Sequence, residues 1–464
     1  MQSKRTWRLV SRQYSSSLTV VGLLAVGVAY TTAFLKMYSR WWFEDDPSLF
    51  AYAGAIGNPI AIFVDPNVLR HFTTGKALVP MQILSYWIDV HLAGYSPQFA
   101  YAHQVCSFLL TLLLLYLVLL RFLQGHRLVA FFVSMCWALL PATAVVLQFL
   151  SARHYLEGLL FSTLAIYILE RGVTGASELS WNAQVAALLS AIAALLCKEI
   201  YVAVLPAVLM FYSWRYRDRR LGLATIATVC AYIAYRFWMV GPAFDYNMAL
   251  LSPRQYLAFL SKLPYTFSAN YGGYFVCGIV ALLAFQLLRT RRKSNATTLL
   301  YFAALFVLSL AAVVPVSRPL YGTIRFPGTW YRIVFIPHTL AIVCCGYLAV
   351  RCTSPLVRTV TGIVLLAILI PGVRKTDRVW AEMTASAERE GKFYLKNPDK
   401  VLLSDQEAWW FIPGIDLMYK VKKPHYVLIK DVQSGQVQAP KPVWRFEAGV
   451  FAPDYWPLRH ALAQ

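Results

Sequence analysis

Residues 18–36 read LTVVGLLAVGVAYTTAFLK, and Arg40-Trp41-Trp42-Phe43-Glu44-Asp45-Asp46-Pro47 follow shortly after. The first stretch is apolar over nearly the length, about 20 residues, that carries a helix across a bilayer core. The second places three consecutive carboxylates just beyond it. Lys4, Arg5, Arg8 and Arg12 precede the apolar stretch, which orients it with the basic end in the cytoplasm. No small-x-small cleavage site follows, so the stretch reads as an uncleaved anchor rather than a signal peptide.

The rest of the chain repeats this pattern. It has 464 residues, 58% hydrophobic and only 14% charged, with a mean hydropathy of +0.53. A soluble domain carries roughly 25% charged residues, so a soluble enzyme is excluded. Ten further apolar blocks fall at about 101–121, 128–149, 154–170, 182–197, 200–214, 222–240, 272–289, 298–316, 332–350 and 355–373, giving about eleven spans. The net charge of +21 is not a nucleic-acid signal. Residues 1–373 hold 29 Lys and Arg, and 17 of these fall in the N-terminal segment and alternate short turns. That is the positive-inside pattern of a polytopic membrane protein. An odd number of spans puts residues 374–464 outside, in the periplasm of a bacterial inner membrane. All eight cysteines lie in or beside apolar blocks, so no disulfide framework is expected outside.

Acids are scarce in residues 1–373, and eight of the eleven fall on or near the outer side: Glu44, Asp45, Asp46, Asp65, Asp89, Glu157, Glu199 and Asp245. The first outer loop, about 37–100, is too long to lack structure. Its tryptophans suit the headgroup interface. Asp46-Pro47 reads as an N-cap with Pro at N1, and a second helix is expected over about Val79–Leu92, both lying along the membrane surface. The acid triplet can bind a divalent cation through hard oxygens, Mg or Mn, with Asp45 and Asp46 as ligands. It can equally keep one carboxylate basic enough to take a proton from a hydroxyl.

The fifth and sixth spans form a hairpin too short for two full crossings, with Lys198-Glu199 at its tip. This reads as a phosphate-binding lysine held by its acidic neighbour. Arg153 and His154, with Glu157 one turn on, Arg236, and Arg318, Arg325 and Arg332 are further outer cations that run against the positive-inside rule. Together they point to an anionic ligand in an outward cavity, for which arginine's planar fork is suited.

Four segments make this layout resemble the GT-C glycosyltransferases, multi-span enzymes that use polyprenyl-phosphate-linked sugars. Glu44-Asp45-Asp46 resembles their paired-acid motif. Leu78-Val79-Pro80, Leu84 to Asp89, Gly94-Tyr95-Ser96-Pro97 and His103 resemble the run that follows it. Lys198-Glu199 with Leu205-Pro206, and Tyr331-Arg332 with Phe335-Ile336-Pro337, resemble the later hairpin and span. The likeness covers most of residues 1–373; the acid triplet departs from a simple pair.

The resemblance implies that an acceptor hydroxyl attacks the anomeric carbon of a sugar on a lipid phosphate, with inversion. The base is one of Glu44, Asp45 and Asp46, with Asp45 favoured because Asp46 is spent on a cap. Lys198, Arg332, Arg325 and Arg153 bind the donor phosphate, with Glu199, His154, Glu157 and His103 in support and a divalent metal optional. The acceptor is a periplasmic protein such as pilin, or a cell-surface glycan or lipid. The rival reading is a flippase for a lipid-linked anionic glycan, which has no use for the acid-rich loop. The tail, 374–464, resembles nothing; a helical start and the runs Val401–Leu403 and Tyr426–Ile429 suggest a small α/β domain.

Overall fold

The computed structural model describes residues 17–71, 77–174, 178–241, 252–289, 293–313, 327–396, 401–404, 411–421, 426–428 and 443–445. It is mostly helical, and each expected apolar block falls on helix. The blocks are not uniform crossings. Five helices are long and apolar enough to span alone: Ser17–Ser39, Pro97–Phe122, Arg219–Met239, Trp330–Arg351 and Pro355–Lys396. Two further crossings are bent pairs, Arg127–Ala138 with Pro141–Gln148 at 56° and Pro253–Ser268 with Gly272–Phe285 at 101°. Trp181–Cys197, Ile200–Arg215 and Thr297–Val313 are apolar but shorter.

The bends have local causes. Pro141 opens the second half of one pair, where a ring without an N–H is tolerated. In the other, Ala269 takes φ 52°, which ends the helix Pro253–Ser268 before the chain turns. That helix was not expected. Ser252 and Gln255 form a capping box at its start.

The first loop folds into helices Asp46–Ala55, Ala61–Val64, Pro66–His71 and Pro80–Ala93. Asp46–Ala55 is buried on two sides, packing on Pro80–Ala93 and on a C-terminal helix, Phe411–Tyr419. The loop tryptophans are not interfacial anchors: Trp42 is fully buried and Trp41 nearly so. Their indoles pack on Phe50 and Phe411, with ring centroids 4.8 and 6.1 Å apart, and the Trp42 indole N–H donates to Tyr419 Oη at 3.3 Å. Burial of so much aromatic surface outweighs the headgroup preference.

Pro355–Lys396 is one 42-residue helix that runs unbroken past residue 373. Beyond it, Val401–Ser404 is the central strand of a three-stranded parallel sheet, flanked by Tyr426–Leu428 and Val443–Arg445, with Leu402 opposite Tyr426 and Trp444. Parallel neighbours need a crossover, and Phe411–Tyr419 lies in the one between the first two strands.

Candidate active site

Charged residues gather in two places around the first loop. One is a cavity of about 480 Å³, lined by Asp45, Ser151, His154, Lys198, Arg236 and Arg332 among others. Five chain segments that are remote in sequence meet there.

Of the acid triplet, only Asp45 lines this cavity. The helix begins at Asp46, which makes Asp45 the cap-position residue, yet its side chain makes no capping bond. Its Oδ1 is buried without a hydrogen-bond partner. Asp46 is not the side-chain cap expected from sequence. It is fully buried, and Oδ1 accepts from the Ser151 N–H at 2.9 Å and the Ser151 hydroxyl at 2.5 Å. Its Oδ2 accepts from the Phe43 N–H at 3.2 Å. Glu44 has φ 46°, a left-handed conformation that costs a non-glycine residue about 1–2 kcal/mol and turns the chain into the helix.

The acids shift one another. Burial, reinforced by the Asp45 charge, pushes Glu44 up to about 8, with Arg332 opposing. Burial and Asp45 also lift Asp46 to about 8, against the bonds from Ser151 and the Phe43 N–H. Burial raises Asp45, while the Ser151 hydroxyl and Arg332 hold it down. Three adjacent carboxyls do not all ionise near neutral pH.

The cations are placed by breaks in helices. Lys198 is extended (φ −163°, ψ 141°) between Trp181–Cys197 and Ile200–Arg215. Its Nζ lies 3.8 Å from Glu199 Oε2 and 5.9 Å from the Tyr155 ring centroid. Glu199 Oε1 accepts from the Leu78 N–H at 2.8 Å, tying the hairpin tip to the first loop. Arg332 sits in the turn Thr329–Val334, its guanidinium over Trp330 and Phe149, 4.8 and 5.3 Å from the ring centroids. His154 is buried with Nδ1 unpartnered, its ring against Tyr155. Arg325 lies outside the described residues.

Arg153 does not join these cations. Wholly enclosed, it donates to Asp89 Oδ2 at 2.5 Å, Gln104 Oε1 at 2.9 Å, Ser85 Oγ at 3.1 Å and the Ala100 carbonyl at 2.7 Å. His103 Nδ1 lies 2.7 Å from the other Asp89 oxygen and Nε2 3.6 Å from Glu157. The Ser85 hydroxyl donates to Glu157 at 2.6 Å. Arg153, His103 and Glu157 thus form a closed network joining helices Pro80–Ala93, Pro97–Phe122 and Arg153–Arg171. Asp89 was visible as an off-face acid, but nothing in the sequence pairs it with Arg153, 64 positions away.

Among the described residues no three His, Cys, Asp or Glu side chains converge as a metal site. Asp46 accepts hydrogen bonds on both oxygens, while Asp45 Oδ1 has no hydrogen-bond partner.

The fold has the layout the motifs implied: many helices, with an ordered helical first loop over a charged cavity. Among solved structures it is similar to ArnT from Cupriavidus metallidurans bound to undecaprenyl phosphate, with 14% identity, a TM-score of 0.51, and coverage of 92% of this chain and 89% of that one. It is also similar to the apo state of that protein, at 15% identity and a TM-score of 0.48, over 89% and 86% of the two chains. No family model and no curated relative matches the chain.

Proposed function

We propose that the protein is a membrane glycosyltransferase that moves a sugar from a polyprenyl-phosphate donor to a hydroxyl of a periplasmic acceptor, protein or glycan, with inversion. The observation that carries this reading is Asp45, whose buried Oδ1 lacks a partner, set in one cavity with Lys198, Arg236 and Arg332. The fold shared with ArnT, a protein solved with undecaprenyl phosphate, supports the donor class.

Asp45 takes the proton of the acceptor hydroxyl as its oxygen attacks the anomeric carbon. The bond from that carbon to the phosphate oxygen breaks, and the phosphate gains a negative charge as it leaves. Lys198 and Arg332 meet that charge, and preorganised cations in a water-poor site stabilise it strongly. Attack opposite the phosphate inverts the centre. The donor's apolar chain lies among the helices. A flippase for a lipid-linked anion would also want the cations, but it has no role for a carboxylate facing them.

The reading fixes sidedness: N-terminus cytoplasmic, cavity and C-terminus periplasmic, in a bacterial inner membrane. A reporter fused after Gln464 should work only outside the cytoplasm, and one at Arg217 only inside; the reverse pattern would end the reading. Purified protein given a synthetic polyprenyl-phosphate sugar and a periplasmic extract should form a glycosylated product. Lipid translocation without transfer, across several donors, would favour the flippase.

A further inference from the structure

The turn Leu150–Ala152 brings no charge to the cavity, yet three side chains converge on it. Asp46 takes both the N–H and the hydroxyl of Ser151 on a single oxygen. Gln82 Nε2 donates to the Ser151 carbonyl at 2.9 Å, and the Tyr86 hydroxyl to the Leu150 carbonyl at 2.8 Å. Ser151 is itself 6% exposed and lines the cavity beside Asp45. A hydroxyl has one proton to give, and here it is donated to Asp46, the acid that does not line the cavity, while the same hydroxyl still helps hold Asp45 down.

We propose that Ser151 is a positioning residue that selects the base: it binds Asp46 through two donors and so leaves Asp45 as the carboxylate presented to substrate. The proposal rests on the reading of Asp45 as base. Pinning Asp46 also fixes the start of the helix Asp46–Ala55, and with it the backbone that carries Asp45. Without the hydroxyl, Asp46 Oδ1 keeps only the backbone N–H, and the two neighbouring acids compete for the same place.

The charged and titratable groups around this pair are Glu44 on its own loop, Tyr86 and Tyr101 from helices Pro80–Ala93 and Pro97–Phe122, Arg153 and His154 from the helix that follows Ser151, Lys198 and Glu199 at the hairpin tip, Arg40, Arg236 and Arg332. Ser151→Ala leaves all of them in place.

The test measures kcat, donor KM and the pH profile of kcat/KM for the full-length protein with a polyprenyl-phosphate sugar, in Ser151→Ala, Ser151→Thr, Ser151→Cys and Asp45→Asn. Ser151→Ala should lower kcat roughly 10- to 100-fold, the effect of losing a hydrogen bond to a charged group, leave donor KM nearly unchanged, and move the acidic limb to higher pH because the hydroxyl that holds Asp45 down is gone. Ser151→Thr, which keeps the hydroxyl, should restore most of kcat and the limb. Wild-type kcat and an unmoved limb in folded Ser151→Ala would overturn the proposal. If Ser151→Ala fails to fold, Ser151→Cys, similar in size but a weak donor, takes its place with the same criterion. Wild-type turnover in Asp45→Asn would overturn the reading of Asp45 instead, whereas an inactive Asp45→Asn beside an unaffected Ser151→Ala overturns only the role of Ser151.

Discussion

The cavity around Asp45 and the network around Arg153 are built from the same materials: a carboxylate or two, a guanidinium, a histidine and a serine. They differ in how far their polar atoms are used. In the network, Arg153 donates to four acceptors and both oxygens of Asp89 are engaged. In the cavity, Asp45 Oδ1 and His154 Nδ1 are buried with no partner. A buried polar atom left without a bond costs about 1–3 kcal/mol, a cost that folding alone does not explain. The network is a satisfied joint between helices, whereas the cavity keeps acceptor capacity open at Asp45.

The sharpest way to break this comparison is Asp45→Asn. It should reduce turnover roughly 10²- to 10⁴-fold, the range for a positioned general base, with an unchanged melting temperature in detergent. Arg153→Met should do the opposite. Leaving Asp89 buried and unpaired should cost about 3–5 kcal/mol of stability, read as a lowered melting temperature, while activity per folded molecule stays near wild type. If Arg153→Met instead folds normally and loses only turnover, the two clusters have been assigned the wrong way round.

A smaller effect is expected for the cations. Lys198→Gln and Arg332→Gln should each lower kcat and kcat/KM together, roughly 10²-fold, because they act on charge that develops as the sugar leaves. A rise in donor KM at constant kcat would show ground-state binding alone. The smallest effect is a pH shift. Asp45 must be ionised to accept a proton, and burial raises its pKa, so kcat/KM should fall on acidification at a pH above the ordinary aspartate range. Arg332 holds Asp45 down, so Arg332→Gln should push that limb higher still.

Much of this is legible in the sequence because membranes simplify it. Apolar length and loop charge located the helical blocks, and the scarcity of acids drew attention to the triplet, and the short hairpin and the outer cations to Lys198 and Arg332, before their proximity was visible. Local signals also held: the helix expected over about Val79–Leu92 is Pro80–Ala93, and Val401–Ser404 and Tyr426–Leu428 are strands. What failed was any question about partners. Whether Arg153 faces ligand or protein depends on Asp89, and whether Asp46 caps its own helix or binds Ser151, 105 positions away, is a matter of long-range packing. Ser151 gave no signal, since an isolated serine in an apolar run has no pattern. Trp41 and Trp42 misled for the same reason: an aromatic residue near a membrane end has two apolar places to go, lipid and protein, and the sequence does not rank them.

The helix Pro355–Lys396 has a consequence of another kind. Forty-two residues at 1.5 Å each make about 63 Å, twice the roughly 30 Å of a hydrocarbon core. Its upper part reaches the acid loop at three heights: Asp377 pairs with Arg40 at 2.8 Å, the Trp380 ring lies 5.2 Å from Phe43, and Gly391 leaves no room for a Cβ beside the Trp41 ring. The residues just before Glu44 are thus riveted to a rod whose lower half stands in lipid. On the proposed function, bilayer thickness, which tilts such rods, is an input to the chemistry: in short-chain and long-chain vesicles, the protein should turn over the same substrates at different rates.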